Sequence, residues 1–269
     1  MNAPNKHKKT IKSLDELDQI GNTHYPPQFT ALAMQWAHPM VYTVQYAETC
    51  DDIVAGWFLS QFIPACPING EIALSLEDVI NKIRLTKRQW YRVRADLIKR
   101  EILINRRTSE QSFYSLNEDK WELAQRSASI TLPIPPLGVN RLHAVTFTQY
   151  GLSLKAVILN AYLIAHNQEL PPSEREPITE PILLNPDDIF AETYLTKPEI
   201  SSALKELESV GIVVDLERKG AGAYRYCRLN LLALDTLTQK YCEEYQDTAH
   251  TALVGLVNPN NPLLGDIQQ

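Results

Sequence analysis

Lys87, Arg88, Tyr91, Arg92, Ala95 and Lys99 are spaced three and four residues apart, so any helix that contains them carries them on one face. Their chemistry is that of contact with a polyanion. A guanidinium is a planar, two-point donor fork that matches a guanine edge or a phosphate, and an ammonium is a mobile point charge. The small Ala95 in mid-face would let a groove wall approach. Between Lys82 and Arg107 there are ten Lys or Arg and two acids, a local charge of +8 in a chain whose formal total is −6. Attraction to phosphate is set locally, so the acidic total does not oppose it. Arg106 and Arg107 close this run. Arg218, Lys219, Arg225 and Arg228 form a second run with no acid among them.

Catalytic patterns are missing by comparison. The six histidines (His7, His24, His38, His143, His166, His250) make no HxH, HxxxH or HExxH spacing, so no metal site is expected. Asp51-Asp52 and Asp187-Asp188 resemble paired carboxylates. They sit where helices should open, however, and there an acid interacts favourably with the helix dipole. Gly220-Ala221-Gly222 lacks the Gly-Lys-Ser/Thr ending of a phosphate loop. Cys50, Cys66, Cys227 and Cys242 are scattered with no CxxC, which favours reduced thiols in a cytoplasm. These absences point to a binder that needs no cofactor, not to an enzyme.

The elements that must position the basic face are read from an internal repeat. Leu76–Arg107 returns 110 residues later as Pro186–Glu217 without a gap. Identical pairs are Asp78/Asp188, Leu85/Leu195, Thr86/Thr196, Lys87/Lys197, Leu97/Leu207 and Ile102/Ile212. Each copy predicts a short amphipathic helix (76–83; 186–193), a Thr N-cap and a longer helix. In the second copy Pro198 lies in the first turn and Gly211 ends the helix. Trp90, Val93 and Leu97, like Ile200, Ala203 and Leu207, form the apolar stripe that faces a core. A β-hairpin follows in each copy: 102–106 with 113–116, and 212–214 with 224–229. Upstream, Gln45-Tyr46 matches Gln149-Tyr150 and Ile53-Val54 matches Val157-Ile158. This predicts a strand (41–44; 145–148) and a buried helix (50–62; 153–166) at the head of each copy. A strand at 182–184 and a helix near 231–246 complete the pattern.

This grammar resembles the winged helix-turn-helix superfamily over about 41–122 and 143–240. Leu195–Gly211 is similar to the recognition-helix region of bacterial and phage members. Phe147–Leu163 looks like the opening of phage and plasmid replication-type winged-helix proteins. The fold class expected is therefore mainly α with small β-hairpins (α+β), as two tandem winged helices. Expected boundaries are a basic arm and lead-in (1–40, with Lys6, Lys8, Lys9 and Lys12), a first domain (41–126), a Pro-rich linker (127–142), a second domain (143–246) and a tail (247–269) with Pro262-Leu263-Leu264 as a docking peptide. No apolar run is long enough for a membrane span.

The resemblance implies double-stranded DNA as partner. The recognition helix would contribute Lys87, Arg88, Tyr91, Arg92 and Lys99, and the wings Arg106, Arg107, Arg218, Lys219 and Arg225. Arg88 and Arg92 would read bases and the lysines would meet phosphates. A transcription regulator, or a phage or plasmid replication or partition protein located with the nucleoid, fits that partner. The window Glu192–Glu217 has two lysines and six acids, a local −4. It favours a protein partner for the second copy, and the chain also leaves room for a homodimer. A second reading rests on the same acidity: an interaction subunit resembling the tandem winged-helix proteins that bind the kleisin of bacterial condensins.

Overall fold

The computed structural model of the chain describes residues 39–66, 70–128, 134–167, 178–219 and 223–244. Within them one run of elements occurs twice. The first copy comprises β1 (Pro39–Tyr42), α1 (Val44–Cys50), α2 (Ile53–Ala65), β2 (Ile72–Ala73) and α3 (Leu76–Asp78, continued by a π-helical turn over Val79–Ile83). It goes on with α4 (Lys87–Lys99), β3 (Leu103–Arg107), β4 (Ser112–Leu116) and α5 (Glu118–Ser127). The second copy comprises β5 (Leu137–Asn140), α6 (Arg141–Gln149), α7 (Leu154–Ala165), β6 (Ile182–Leu183), α8 (Pro186–Thr193), α9 (Lys197–Ser209), β7 (Val213–Lys219), β8 (Ala223–Leu229) and α10 (Leu231–Glu244). The described residues are mixed α and β, with helices dominant and three small antiparallel sheets ordered β1-β5, β2-β4-β3 and β6-β8-β7. No helix of the described residues is long and apolar enough to cross a membrane.

Local chemistry explains where the helices start and stop. The Asp52 carboxylate accepts from the Val54 and Ala55 N–H groups at 2.7 and 3.2 Å and opens α2. Thr86 and Gln89 bond each other reciprocally and open α4. Asn185 caps α8, with Pro186 in its first turn. After each long helix the chain turns through a left-handed residue, Glu101 (φ +60) in the first copy and Gly211 (φ +74) in the second.

The heads of the copies differ from the sequence expectation. Residues 145–148, expected as a strand, lie inside α6. The stretch Val-Thr-Phe-Thr has β-branched content, but Asn140 Oδ1 accepts from the Leu142 and His143 N–H groups at 2.7 and 3.3 Å and starts a helix upstream of it. The second copy's strand is instead β5, within the expected linker, and it pairs antiparallel with β1 from Pro39↔Asn140 to Tyr42↔Leu137. The first strand is likewise displaced to Pro39–Tyr42, and a separate helix, α1, precedes α2. In consequence the N-cap Asp52 corresponds to the N-cap Ser153, where the upstream residue match would have paired it with Ala156. The expected arm up to residue 38, residues 168–177 of the second copy, the Gly220–Gly222 turn and the tail lie outside the described residues.

Among the described residues the main apolar core runs through both copies, with Trp57, Phe58, Phe62 and Leu97 on one side and Phe147, Leu159, Leu195 and Leu207 on the other, and a small separate cluster holds Leu142, Val145 and Tyr241. The seam is hydrogen-bonded as well as packed. Tyr42 donates to the Thr193 carbonyl at 2.8 Å, and the Tyr194 hydroxyl donates to Asp51 at 2.6 Å. Gly56 allows α1 to lie directly on α2, because a Cβ there would stand 2.5 Å from the Ala47 nitrogen.

Candidate nucleic-acid interface

The buried side of α4 fixes what its other side can present. Trp90, Val93 and Leu97 are buried, and the Trp90 ring lies 5.0 Å from Phe58 and 5.5 Å from Tyr114. With that stripe turned inward, Lys87, Arg88, Tyr91, Arg92, Ala95 and Lys99 are all exposed on the opposite face. The structure thus brings together the five expected helix residues. Lys87 Nζ stands 5.9 Å from the Tyr91 ring centroid, so that pair forms one cationic, aromatic end of the face.

The cations on this face are not equivalent. Arg92 forms a two-point ion pair with Asp52, the carboxylate that also caps α2. On β3, Arg106 donates to Glu71 through Nε and Nη2, the latter at 2.6 Å, and its guanidinium lies 4.4 Å from the Phe113 ring. These acids compensate two of the expected DNA contacts. Glu71 is in turn held below the usual carboxylate range by its hydrogen bond from Arg106. Lys87, Arg88, Lys99 and Arg107 are exposed, and no described acid pairs with them. The strand backbones of Arg218, Lys219 and Arg225 are in β7 and β8, but their side chains lie outside the described residues.

Two further arginines near α4 are structural. Arg94 donates to Asn105 Oδ1 at 3.3 Å and lies 5.7 Å from the Tyr114 ring centroid, where the second copy has the buried Leu204. Arg100 donates to the Thr49 and Cys50 carbonyls at 3.2 and 3.0 Å, closing the end of α1. Sequence reasoning missed Asp52 and Glu71 as arginine partners. Asp52 is legible as a helix cap, but nothing in the sequence links it to Arg92, forty positions away.

In the second copy two acids of α9, Glu199 and Glu206, turn inward, while Glu208 stays exposed. The Glu199 carboxylate accepts from the Thr196 N–H and hydroxyl at 2.9 and 2.7 Å and pairs with Lys155 at 2.9 Å. Glu206 accepts from the Ser153 N–H at 2.7 Å, at the start of α7. Glu192 pairs with His166 at 3.3 Å. The outward residues of α9, at the positions of the basic face of α4, include Lys197, Ser202, Lys205 and Ser209, all exposed. Lys197 is 3.3 Å from Asp187, and Lys205 has no ion-pair partner among the described residues. The face expected to be acidic is therefore small, polar and weakly basic.

Other titratable groups are set by burial. It pushes the Cys50 and Cys227 thiols up to about 12, so neither is a nucleophile near neutral pH. The Tyr194 phenol is raised to about 12, first by its hydrogen bond to Asp51 and then by burial. His143 is fully buried and held neutral, its pKa lowered to about 3. Among the described residues no three His, Cys, Asp or Glu side chains are grouped to hold a metal ion. No family model, curated protein or solved structure matches the chain.

Proposed function

We propose that this chain is a double-stranded DNA-binding protein made of two tandem winged-helix modules. The observation that carries the reading is the outward face of α4, where Lys87, Arg88 and Lys99 stand exposed without acid partners beside Tyr91. A face of that composition on the second helix of a helix-turn-helix suits the major groove. Arg88 is the residue best free to read a base edge, and Lys87, Lys99 and Arg107 meet phosphates. Arg92 and Arg106 contribute less than their sequence positions imply, since Asp52 and Glu71 compensate them. Resemblance alone supplies the cellular role: transcription control, or replication or partition of a phage or plasmid.

The second module takes part through α9. Its serines are short donors and acceptors, and Lys197 and Lys205 add positive charge to the same face. Equivalent strands β1 and β5 pair antiparallel, which relates the copies by a local two-fold rotation. A binding site with two half-sites of opposite orientation fits such a protein. The competing reading, an acidic interaction subunit, drew on the −4 charge of the second window. Glu199 and Glu206 are engaged within the fold, whereas Glu208, Asp215 and Glu217 are exposed, so only part of that charge is open to a partner.

Titrating the full chain against random duplex at two salt concentrations tests the proposal. Binding should weaken steeply as salt rises, as counterion release requires. Affinity that is undetectable at low salt, or indifferent to salt, would sink it.

A further inference from the structure

Two arginines of the first copy are held by acids far from them in sequence. Asp52 is fixed before Arg92 reaches it: as the N-cap of α2 its carboxylate accepts from the Val54 and Ala55 N–H groups, and its side chain is only 20% exposed. Arg92 then meets it through both Nη1 and Nη2, the latter at 3.2 Å. Arg106 is held from two sides. Phe113 stands opposite it across β3 and β4, with the ring 4.4 Å from the guanidinium. Glu71, directly before β2, accepts from Nε and Nη2 at 3.0 and 2.6 Å. An exposed ion pair ordinarily contributes little, because two long side chains must be ordered to make it. Here the cap bonds of Asp52 and the ring under Arg106 supply part of that order beforehand, and both contacts are two-point and charge-assisted.

The second copy has neither half of either pair. Ser153 is the N-cap where the first copy has Asp52, and Ser202 stands 110 positions after Arg92. Pro181 precedes β6 where Glu71 precedes β2, and Glu217 lies opposite Tyr226 where Arg106 lies opposite Phe113. Acid and arginine are thus present together or absent together. The fold does not require the charge, since the Ser153 hydroxyl caps α7 as the Asp52 carboxylate caps α2. What the acids change is the response of the arginines to an outside anion. A backbone phosphate offers charge-assisted bonds to any nearby guanidinium, whatever the base sequence. A guanidinium already paired with a carboxylate gains less from that phosphate, and the carboxylate repels it. Arg88 stays exposed with no described acid beside it.

We propose, with the DNA-binding reading as premise, that Asp52 and Glu71 are specificity-determining residues. Each ties down an arginine that would otherwise hold any phosphate backbone, so sequence-independent affinity stays low and the untied Arg88 decides between sites. A mutant cycle on the full chain tests this with the parent, Asp52→Asn, Arg92→Ala and the double variant. Each is titrated at several salt concentrations with a random-sequence duplex and with the duplex that the parent selects from a random pool. Asparagine keeps the N-cap of α2 and removes the charge. Asp52→Asn should bind the random duplex about tenfold more tightly at about 0.1 M salt, with a salt slope steeper by about 0.9. The selected duplex should gain less, so the affinity ratio between the two falls. Adding Arg92→Ala should cancel the gain. No gain, a gain that survives Arg92→Ala, or an equal gain on both duplexes overturns the proposal. Glu71→Gln with Arg106→Ala repeats the cycle on the wing and decides the matter should Asp52→Asn fold poorly. Retention on a heparin column reads the release of Arg92 without DNA. Retention that rises in Asp52→Asn only while Arg92 is present, in chains that bind neither duplex, defeats the DNA-binding reading and the specificity assignment with it. Duplex binding by the parent with no gain in the variants defeats the specificity assignment alone.

Discussion

In the first copy the long helix α4 turns Lys87, Arg88 and Lys99 to solvent, and the nearby acids Asp52 and Glu71 belong to other parts of the chain. In the second copy the acids Glu199 and Glu206 sit on the long helix itself and point back against α7. The two helices share cap, length and buried stripe. Window charges of +8 and −4 suggest faces of opposite sign, yet the exposed face of α9 carries lysine and serine. Charge counted along a sequence says nothing of direction, and helical spacing decides which charges a partner can meet. Both copies therefore present a surface compatible with phosphate, strong in the first and weak in the second.

The largest expected effect tests how the copies differ in packing. Gly56 on α2 corresponds to Val157 on α7, by the shared N-caps Asp52 and Ser153. Installing the second copy's residue, Gly56→Val, forces α1 off α2 and should lower stability by about 3 kcal/mol or more in urea unfolding. A loss below about 1 kcal/mol would show that the close helix contact is dispensable.

Next comes acid sensitivity, which belongs to the second copy. His143 is neutral when folded, with a pKa lowered to about 3, whereas the unfolded chain protonates it near the ordinary value of about 6.5. Its folded pKa is the lower one, so the unfolded state binds the extra proton and stability falls as pH drops below about 6.5. The loss is about 1.4 kcal/mol per pH unit, or roughly 2 kcal/mol by pH 5. Unfolding His143→Gln across the same range should remove that component. An unchanged slope would mean that other groups set the acid limit.

The inward placement of the acids predicts a smaller, selective effect. Glu206→Ala removes the acceptor for the Ser153 N–H and should lower stability by about 1 kcal/mol, while the exposed Glu208→Ala should stay within about 0.5 kcal/mol. Equal effects from the two would contradict the division between inward and outward acids.

Much of the long helices was legible because cap, apolar stripe and hairpin agree with one another. Thr86, Thr196 and the stripes ending at Leu97 and Leu207 each fix a local geometry that the core then uses. The heads of the copies were less legible. Residues 145–148 have strand-like composition, but the Asn140 cap and burial of Leu142 and Val145 beside Tyr241 make them helical. Strand β5 lay hidden in a Pro-rich stretch because its partner, β1, is almost a hundred residues away. The ion pairs Arg92–Asp52 and Arg106–Glu71 depend on the same long-range closure. Position on a helix face predicted exposure; it could not predict which cation has an acid beside it.

The central claim is that exposed, unpaired cations on α4 hold duplex DNA. It is tested by the salt dependence of duplex binding for three chains: the parent, Lys87→Ala/Arg88→Ala/Lys99→Ala, and Lys205→Ala. Each lost phosphate contact lowers the slope of log K against log salt by about 0.9. The triple variant should lose between about two and three units of slope and about a hundredfold in affinity at moderate salt. Lys205→Ala should lose at most about one unit. A folded triple variant that binds duplex with the parent's affinity and slope would contradict the account.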